Sequence, residues 1–153
     1  MKPSSAISRL ASALLLAAAA VLAPVMSHAQ ATAQGTQKAD RYKVVLQVSD
    51  NDPAKWNLAL NNARNIQQDL GKGNVDVEIV AYGPGLGMLK MESKVADRLA
   101  QALDNNVALL ACENTMRNTK VQKSDMYGGI GYVDAGVVHI MKRQREGWAY
   151  VRP

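Results

Sequence analysis

The feature that most constrains the fold is a regular alternation of short β-branched segments with amphipathic segments, which starts near residue 42. Strand patterns cover residues 43–49, 75–82, 107–111, 130–133 and 148–151. Helical patterns cover residues 54–70, 88–103 and 134–146. Strands that alternate with helices form right-handed βαβ units. The sequence therefore predicts a three-layer α/β sandwich, with a mainly parallel sheet of about five strands and helices on both faces.

The strand patterns differ in how deeply they should be buried. Residues 107–111 (VALLA) are apolar without interruption, which is typical of a strand in the centre of a parallel sheet. Asp76 and Glu78 interrupt the second strand pattern, so this strand is expected nearer an edge or a wet face of the sheet.

The last helical pattern follows Asp134, which is a candidate N-cap. The side chains expected to face inward are apolar: Val137, Val138, Ile140 and Met141. Those expected to face outward are basic: Lys142, Arg143 and Arg145.

The N-terminal residues have the three parts of a secretory signal peptide. Lys2 and Arg9 form a basic region, residues 10–25 form an apolar region, and Ser27-His28-Ala29 forms a small-x-small cleavage site. The apolar region is shorter than the ~20 residues that a spanning helix needs. We expect a signal peptide over residues 1–29, a flexible lead-in over 30–41 and one domain over 42–153, located in the periplasm without a membrane anchor after cleavage.

The charge balance of the chain argues against nucleic-acid binding. The sequence has 18 basic and 13 acidic side chains, and signal cleavage removes two of the basic ones. Proteins that read nucleic acids usually concentrate Lys and Arg on one face with interleaved aromatic side chains, whereas here the aromatic residues are few and dispersed. No nucleic-acid partner is expected.

Cys112, the only cysteine, stands where a buried strand pattern ends and a polar, helix-like segment begins. Ligand sites of open α/β sheets lie at the carboxyl ends of the strands, and the N–H groups of a helix start favour a thiolate. Arg117, Lys120 and Lys123 would lower the thiol pKa if they fold back toward it, while Glu113 would oppose these cations. Asn114 and Thr115 are candidate hydrogen-bond donors. The alternative is that Cys112 is a small buried core residue.

Two further motifs are structural in our interpretation. Residues 83–87 (GPGLG) lack the Lys-Ser/Thr of a phosphate-binding loop. Gly83 and Gly85 are expected to allow a sharp turn that forms a wall of the Cys112 pocket. His139 has no partner at metal-ligand spacing and is expected to be a surface histidine, so neither a metal nor a cofactor is predicted.

Three segments, VAYGPGLGML, ACENTMR and VDAGVVHIMKRQREGWAYVRP, give the chain a family resemblance. They resemble the DsrE/DsrF-like family of sulfur-relay subunits, specifically its exported single-domain branch, over residues 42–153. The resemblance implies a parallel sheet flanked by helices, a trimeric or hexameric assembly, and a cysteine after a central strand that receives and passes persulfide sulfur.

Two functions follow as hypotheses, and Cys112 separates them. In the first, Cys112 accepts sulfane sulfur as a persulfide from a donor and passes it to an acceptor protein, with no cofactor. In the second, the protein is a non-catalytic oligomeric binding module whose cysteine is structural. An exposed thiol of low pKa favours the first hypothesis, and a packed sulfur favours the second.

Overall fold

The computed structural model describes residues 41–153, so the predicted signal peptide and nearly all of the lead-in lie outside the described residues. The strands are β1 (Tyr42–Val48), β2 (Val75–Ala81), β3 (Val107–Cys112), β4 (Gly131–Val133) and β5 (Ala149–Val151). The α-helices are α1 (Pro53–Leu70), α2 (Ala96–Asp104), α3 (Glu113–Thr119) and α4 (Gly136–Arg145). Two 3-10 helices cover Gly83–Leu89 and Lys123–Asp125. Within this part of the chain, no helix is long and apolar enough to cross a membrane.

The five strands form one sheet in the order β4-β3-β2-β1-β5. Every pair of neighbouring strands is parallel. Helices α1 and α2 pack on one face of this sheet and α4 packs on the other. The predicted α/β sandwich with a parallel sheet is therefore confirmed.

The larger hydrophobic core lies between the sheet and helices α1 and α2. Trp56 and Leu60 of α1 and Leu99 of α2 are buried there against alternate residues of the three central strands. Asp52 caps α1, because its carboxylate accepts the Ala54 N–H at 2.8 Å. The amphipathic pattern read from the sequence thus matches the observed buried face of α1.

The opposite face of the sheet has a much smaller core, formed by buried Val45, Val80 and Ile140. Glu78 lies on this face, with 7% of its surface exposed, and β2 is the middle strand of the sheet. The sequence placed this strand near an edge or a wet face because of Asp76 and Glu78. This prediction is wrong, since β2 is central and Glu78 is buried. Arg143 of α4 neutralises the buried carboxylate of Glu78 instead, and His139 contacts it as well.

The orientation predicted for α4 holds for Ile140, which is buried, and for Lys142 and Arg145, which are exposed, but it is wrong for the other apolar side chains. Val137, Val138 and Met141 are 52%, 43% and 59% exposed, and Ile140 is the only one of the four apolar side chains that is buried. His139 and Arg143 point to Glu78, and residues three or four apart share one helix face. The salt bridges thus set the inward face, and the remaining apolar side chains of α4 face outward.

The second helical pattern begins later than predicted. Residues Gly83–Leu89 form a 3-10 helix, and α2 starts only at Ala96. Between them the backbone bonds to the segment before β4: Tyr127 N–H donates to Leu89 O at 2.9 Å, and Met91 N–H donates to Asp125 O at 2.9 Å. These tertiary hydrogen bonds compete with a continuous helix.

The start of α4 differs from the sequence prediction as well. Ala135, not Asp134, is its N-cap, and no side chain caps the helix. The backbone carbonyl of Asp134 instead accepts the Asn114 N–H at 2.9 Å, which ties the start of α3 to the end of β4.

Gly85 is the most tightly confined glycine of the Gly83–Leu89 helix. A Cβ on Gly85 would lie 2.4 Å from Val48 O and 2.9 Å from Ser49 Cα, which are backbone atoms. We expect Gly85→Ala to lower the free energy of unfolding by about 1–3 kcal/mol, the usual cost of overpacking. Gly73→Ala is the control, because nothing lies within 4 Å of its Cβ position. Equal urea midpoints for the two variants would contradict the assignment.

Candidate functional site

Cys112 is the last residue of β3 and the N-cap of α3. Its Sγ accepts the Gly136 N–H at 3.2 Å and the Thr115 N–H at 3.4 Å. The residue is only 4% exposed and is one of the buried residues of the domain. The sulfur therefore has polar backbone partners from the first turns of two helices, α3 and α4.

Thr115 connects Cys112 to the loop after β2. Its Oγ1 accepts the Gly83 N–H at 2.9 Å, its backbone N–H donates to Cys112 Sγ at 3.4 Å, and its side chain contributes to the lowered pKa of Cys112. Gly83 has φ +54°, a conformation that glycine adopts far more readily than other residues. The structure thus brings together three residues that the sequence proposed for one site: Cys112, Thr115 and Gly83.

Two opposing effects set the pKa of the Cys112 thiol. Burial raises the pKa, because the thiolate loses solvation. Hydrogen bonds from the Thr115 side chain and from the N–H groups of Gly136 and Thr115 lower it and outweigh burial, so the pKa lies below its ordinary value. A lower pKa means that more thiolate, the nucleophilic form, is present at a given pH.

Arg117, proposed from the sequence as a supporting residue, is not among the groups with the largest effects on the Cys112 pKa. Its side chain lines a groove on α3 together with Glu113, Lys120 and Lys123. Glu113, which was expected to oppose the thiolate, forms a salt bridge with Lys123 at 2.8 Å. The largest effects that favour the thiolate are therefore hydrogen bonds, and a role for Arg117 stays a prediction.

Gly85 and Asn114 contribute differently from what the sequence suggested. Gly85 is buried against the Val48 carbonyl, so it fixes the turn and is not a wall of a Cys112 pocket. Asn114 acts through its backbone N–H, which bonds to Asp134 O.

Sequence reasoning missed two residues that shape the site, Gly136 and Tyr82. A Cβ on Gly136 would lie 3.0 Å from Tyr82 Cβ, so α4 approaches the end of β2 closely only because residue 136 is glycine. Burial, more than any neighbouring charge, raises the pKa of the Tyr82 phenol, and Cys112 is among the nearby groups that add to this rise. The glycine at the start of the last helical pattern is the one sequence signal that points to this contact.

A second cluster that the sequence did not predict lies under α4. Glu78 accepts hydrogen bonds from Arg143 Nε at 3.0 Å and from Arg143 Nη2 at 2.6 Å. His139 Nε2 lies 2.8 Å from the same carboxylate. Arg143 also bonds to Glu146 and stacks over the Trp148 ring at 4.6 Å. His139 is therefore partly exposed, as expected for a surface histidine, and it is also a partner of a buried carboxylate, which the sequence did not indicate.

A cavity of about 510 Å³ lies on the other side of the Gly83 turn. It is open to solvent and is lined by the turn after β1, the Gly83–Leu89 helix, the segment before α2 and the end of α3. Cys112 does not line it. Within the described residues, no group of three His, Cys, Asp or Glu side chains is placed to hold a metal ion.

Comparison with known proteins finds relatives among solved structures only. No family model and no curated protein matches the chain. A protein of unknown function from Methanobacterium thermoautotrophicum is 36% identical, with a TM-score of 0.70 over 73% of this chain and 99% of that chain. The chain belongs to the family of that protein.

A second solved structure is similar in fold alone. It is a conserved protein of unknown function from Bacteroides thetaiotaomicron, 14% identical, with a TM-score of 0.55 over 72% of this chain and 94% of that chain. Because both relatives are of unknown function, the activity has to be argued from the site itself.

The hydrogen bonds to Cys112 predict how its reactivity depends on Thr115. Thr115→Val removes the hydroxyl donor, so the Cys112 pKa should rise and the alkylation profile should shift to higher pH. Losing one hydrogen bond of about 1.4 kcal/mol lowers the rate at neutral pH by up to about tenfold. Thr115→Ser should keep the profile, and so should Arg117→Ala. A shift caused by Arg117→Ala instead would restore the cationic explanation.

Proposed function

We propose that the protein handles sulfur, with Cys112 accepting sulfane sulfur as a persulfide and passing it to an acceptor. The observation that carries this proposal is the pair of N–H donors, from Gly136 and Thr115, on the Cys112 sulfur. A cysteine that merely fills space needs no such donors, whereas a thiolate is stabilised by them. The lowered pKa of Cys112 supports the same interpretation.

The chemistry balances without a cofactor. The Cys112 thiolate attacks the terminal sulfur of a polysulfide, a bond between Cys112 Sγ and that sulfur forms, and the S–S bond of the donor breaks. The shortened polysulfide leaves with the electron pair. The outer sulfur then passes to an acceptor thiolate, and Cys112 leaves as thiolate, so neither step needs an external oxidant or reductant.

One observation favours the alternative function, a non-catalytic binding module with a structural cysteine. Cys112 is 4% exposed, and a packed sulfur is what that alternative requires. We retain the sulfur-handling proposal because the groups around the sulfur are hydrogen-bond donors. Alkylation of the native protein separates the two functions, since a structural cysteine reacts only after unfolding.

We propose that the chain works in the periplasm, which the signal-peptide pattern of residues 1–29 supports, and that it works there as a homo-oligomer. Val137, Val138 and Met141 form an exposed apolar surface on α4, the helix that supplies the Gly136 N–H. Contiguous exposed apolar residues commonly mark a protein interface. A second copy of the chain is the partner that the family resemblance, with its trimers or hexamers, favours.

Persulfide formation is tested by intact-mass analysis of the native protein after incubation with polysulfide. We expect Cys112 to gain the mass of one or more sulfur atoms, and the gain should disappear on treatment with a reductant. Cys112→Ser is the matched control and should gain nothing. An unmodified wild-type protein, together with alkylation only after unfolding, would leave the binding module as the function.

Assembly is tested by light scattering of the purified protein at micromolar concentration. We expect the mass of a trimer or hexamer, and we expect Val138→Glu to reduce it, because a buried charge without a partner is costly. Leu58→Glu is the control, since Leu58 is 46% exposed on α1. A wild-type protein with the mass of one chain would refute this assembly.

A further inference from the structure

The 510 Å³ cavity beside the Gly83 turn has the size and place of a ligand site. Small-molecule sites usually measure about 300–1,000 Å³, and in open α/β sheets they lie beyond the carboxyl ends of the strands. This cavity is lined by the segments that follow β1, β2 and α3. The GPGLG motif forms part of its wall, and Cys112 does not line it.

The charges around the cavity favour an anion. Lys90 and Lys94 line it, and neither forms an ion pair within residues 41–153, whereas Lys55 and Lys123 are paired with carboxylates at 3.1 and 2.8 Å. Glu92 is the one acidic side chain in the lining, so the wall has a net positive charge. Two cations without counter-ions on a concave surface attract an anionic group.

The rest of the wall favours a ligand with an apolar body. Trp56 and Leu86 line the cavity and are 4% and 3% exposed, and Trp56 is held in place because its Nε1–H donates to Asp50 O at 2.7 Å. Rigid apolar walls bind apolar ligand surface without losing conformational freedom.

Ser93 adds a polar group that is free to donate to a ligand. It lines the cavity, is 9% exposed, and its Oγ accepts the Val95 N–H at 3.4 Å. Across residues 41–153, its own hydroxyl hydrogen is donated to no other group. Since a buried hydroxyl normally uses its hydrogen, a bound acceptor would satisfy it.

We propose that this cavity binds a small organic anion, whose carboxylate, sulfonate or phosphate group lies against Lys90, Lys94 and Ser93 and whose apolar part packs on Trp56 and Leu86. This site is distinct from the thiol, and its occupancy does not depend on sulfur transfer. The two are nevertheless adjacent, because Gly83 lines the cavity and donates its N–H to Thr115, the hydrogen-bond partner of Cys112.

The test uses the Cys112→Ser protein, so that binding is measured without thiol chemistry. Four probes separate charge from apolar body: benzoate, phenyl phosphate, the neutral benzamide and inorganic sulfate. Titrations followed by amide NMR shifts should show benzoate and phenyl phosphate binding at least about tenfold more tightly than benzamide, a difference of about 1.4 kcal/mol. Sulfate should bind more weakly than phenyl phosphate, because it has no apolar body.

Matched variants locate the binding. The double variant Lys90→Gln/Lys94→Gln should weaken benzoate at least about tenfold and leave benzamide unchanged. Lys142→Gln is the control, because Lys142 lies on α4 and outside this cavity. Ser93→Ala should weaken the preferred anion by a smaller factor, which reports the loss of one hydrogen bond.

Three results would overturn the proposal: no shift at cavity residues with any anion, benzamide binding as tightly as benzoate, or an equal loss in the Lys142→Gln control. Because the variants change exposed or half-buried lysines, unchanged amide spectra away from the cavity show that they remain folded. The polysulfide experiment on wild-type protein has an independent outcome, so failure here leaves the proposed function of Cys112 standing.

Discussion

The neutralisation of Glu78 is the interaction on which the second face of the sheet depends. This carboxylate is in the middle strand, and Arg143 and His139 bind it at 2.6 and 2.8 Å. Removing one partner of such a buried pair costs roughly 3–5 kcal/mol. Because Ile140 is the only large apolar residue of α4 that is buried, the contacts of Arg143 and His139 with Glu78 position this helix, and with it the Gly136 N–H that reaches Cys112.

The order and type of the main elements follow from periodicity, because an apolar period of two or of about 3.6 residues is a local property. The burial of Glu78 is not local. The partners of Glu78 are 61 and 65 residues away in the sequence, so the local pattern does not reveal them. A strand pattern with two acidic residues therefore predicts an edge or a wet face. The same contacts set the orientation of α4. A periodic pattern shows which residues share a helix face, but it does not show which face packs against the sheet.

The candidate site shows the same division between local and tertiary information. The place of Cys112, at the end of a buried strand, could be predicted from the strand and helix pattern. Arg117 was chosen as its partner from sequence proximity alone, whereas the largest effects that lower the Cys112 pKa come from hydrogen bonds of Thr115 and of the more distant Gly136. Gly136 is 24 residues from Cys112 in the sequence, and its N–H reaches the sulfur because the sheet places β4 beside β3. A local sequence pattern does not show this contact.

The turn at Gly83 joins the two functional proposals physically. Its backbone forms part of the wall of the cationic cavity, and its N–H is committed to Thr115, which in turn bonds to the Cys112 sulfur. A ligand that shifts this turn would therefore alter a donor of the thiolate. Gly83 has φ +54°, which few other residues adopt without strain. Few other residues can therefore replace Gly83 in this turn. We expect a substitution of residue 83 to change both ligand binding in the cavity and the reactivity of the Cys112 thiol.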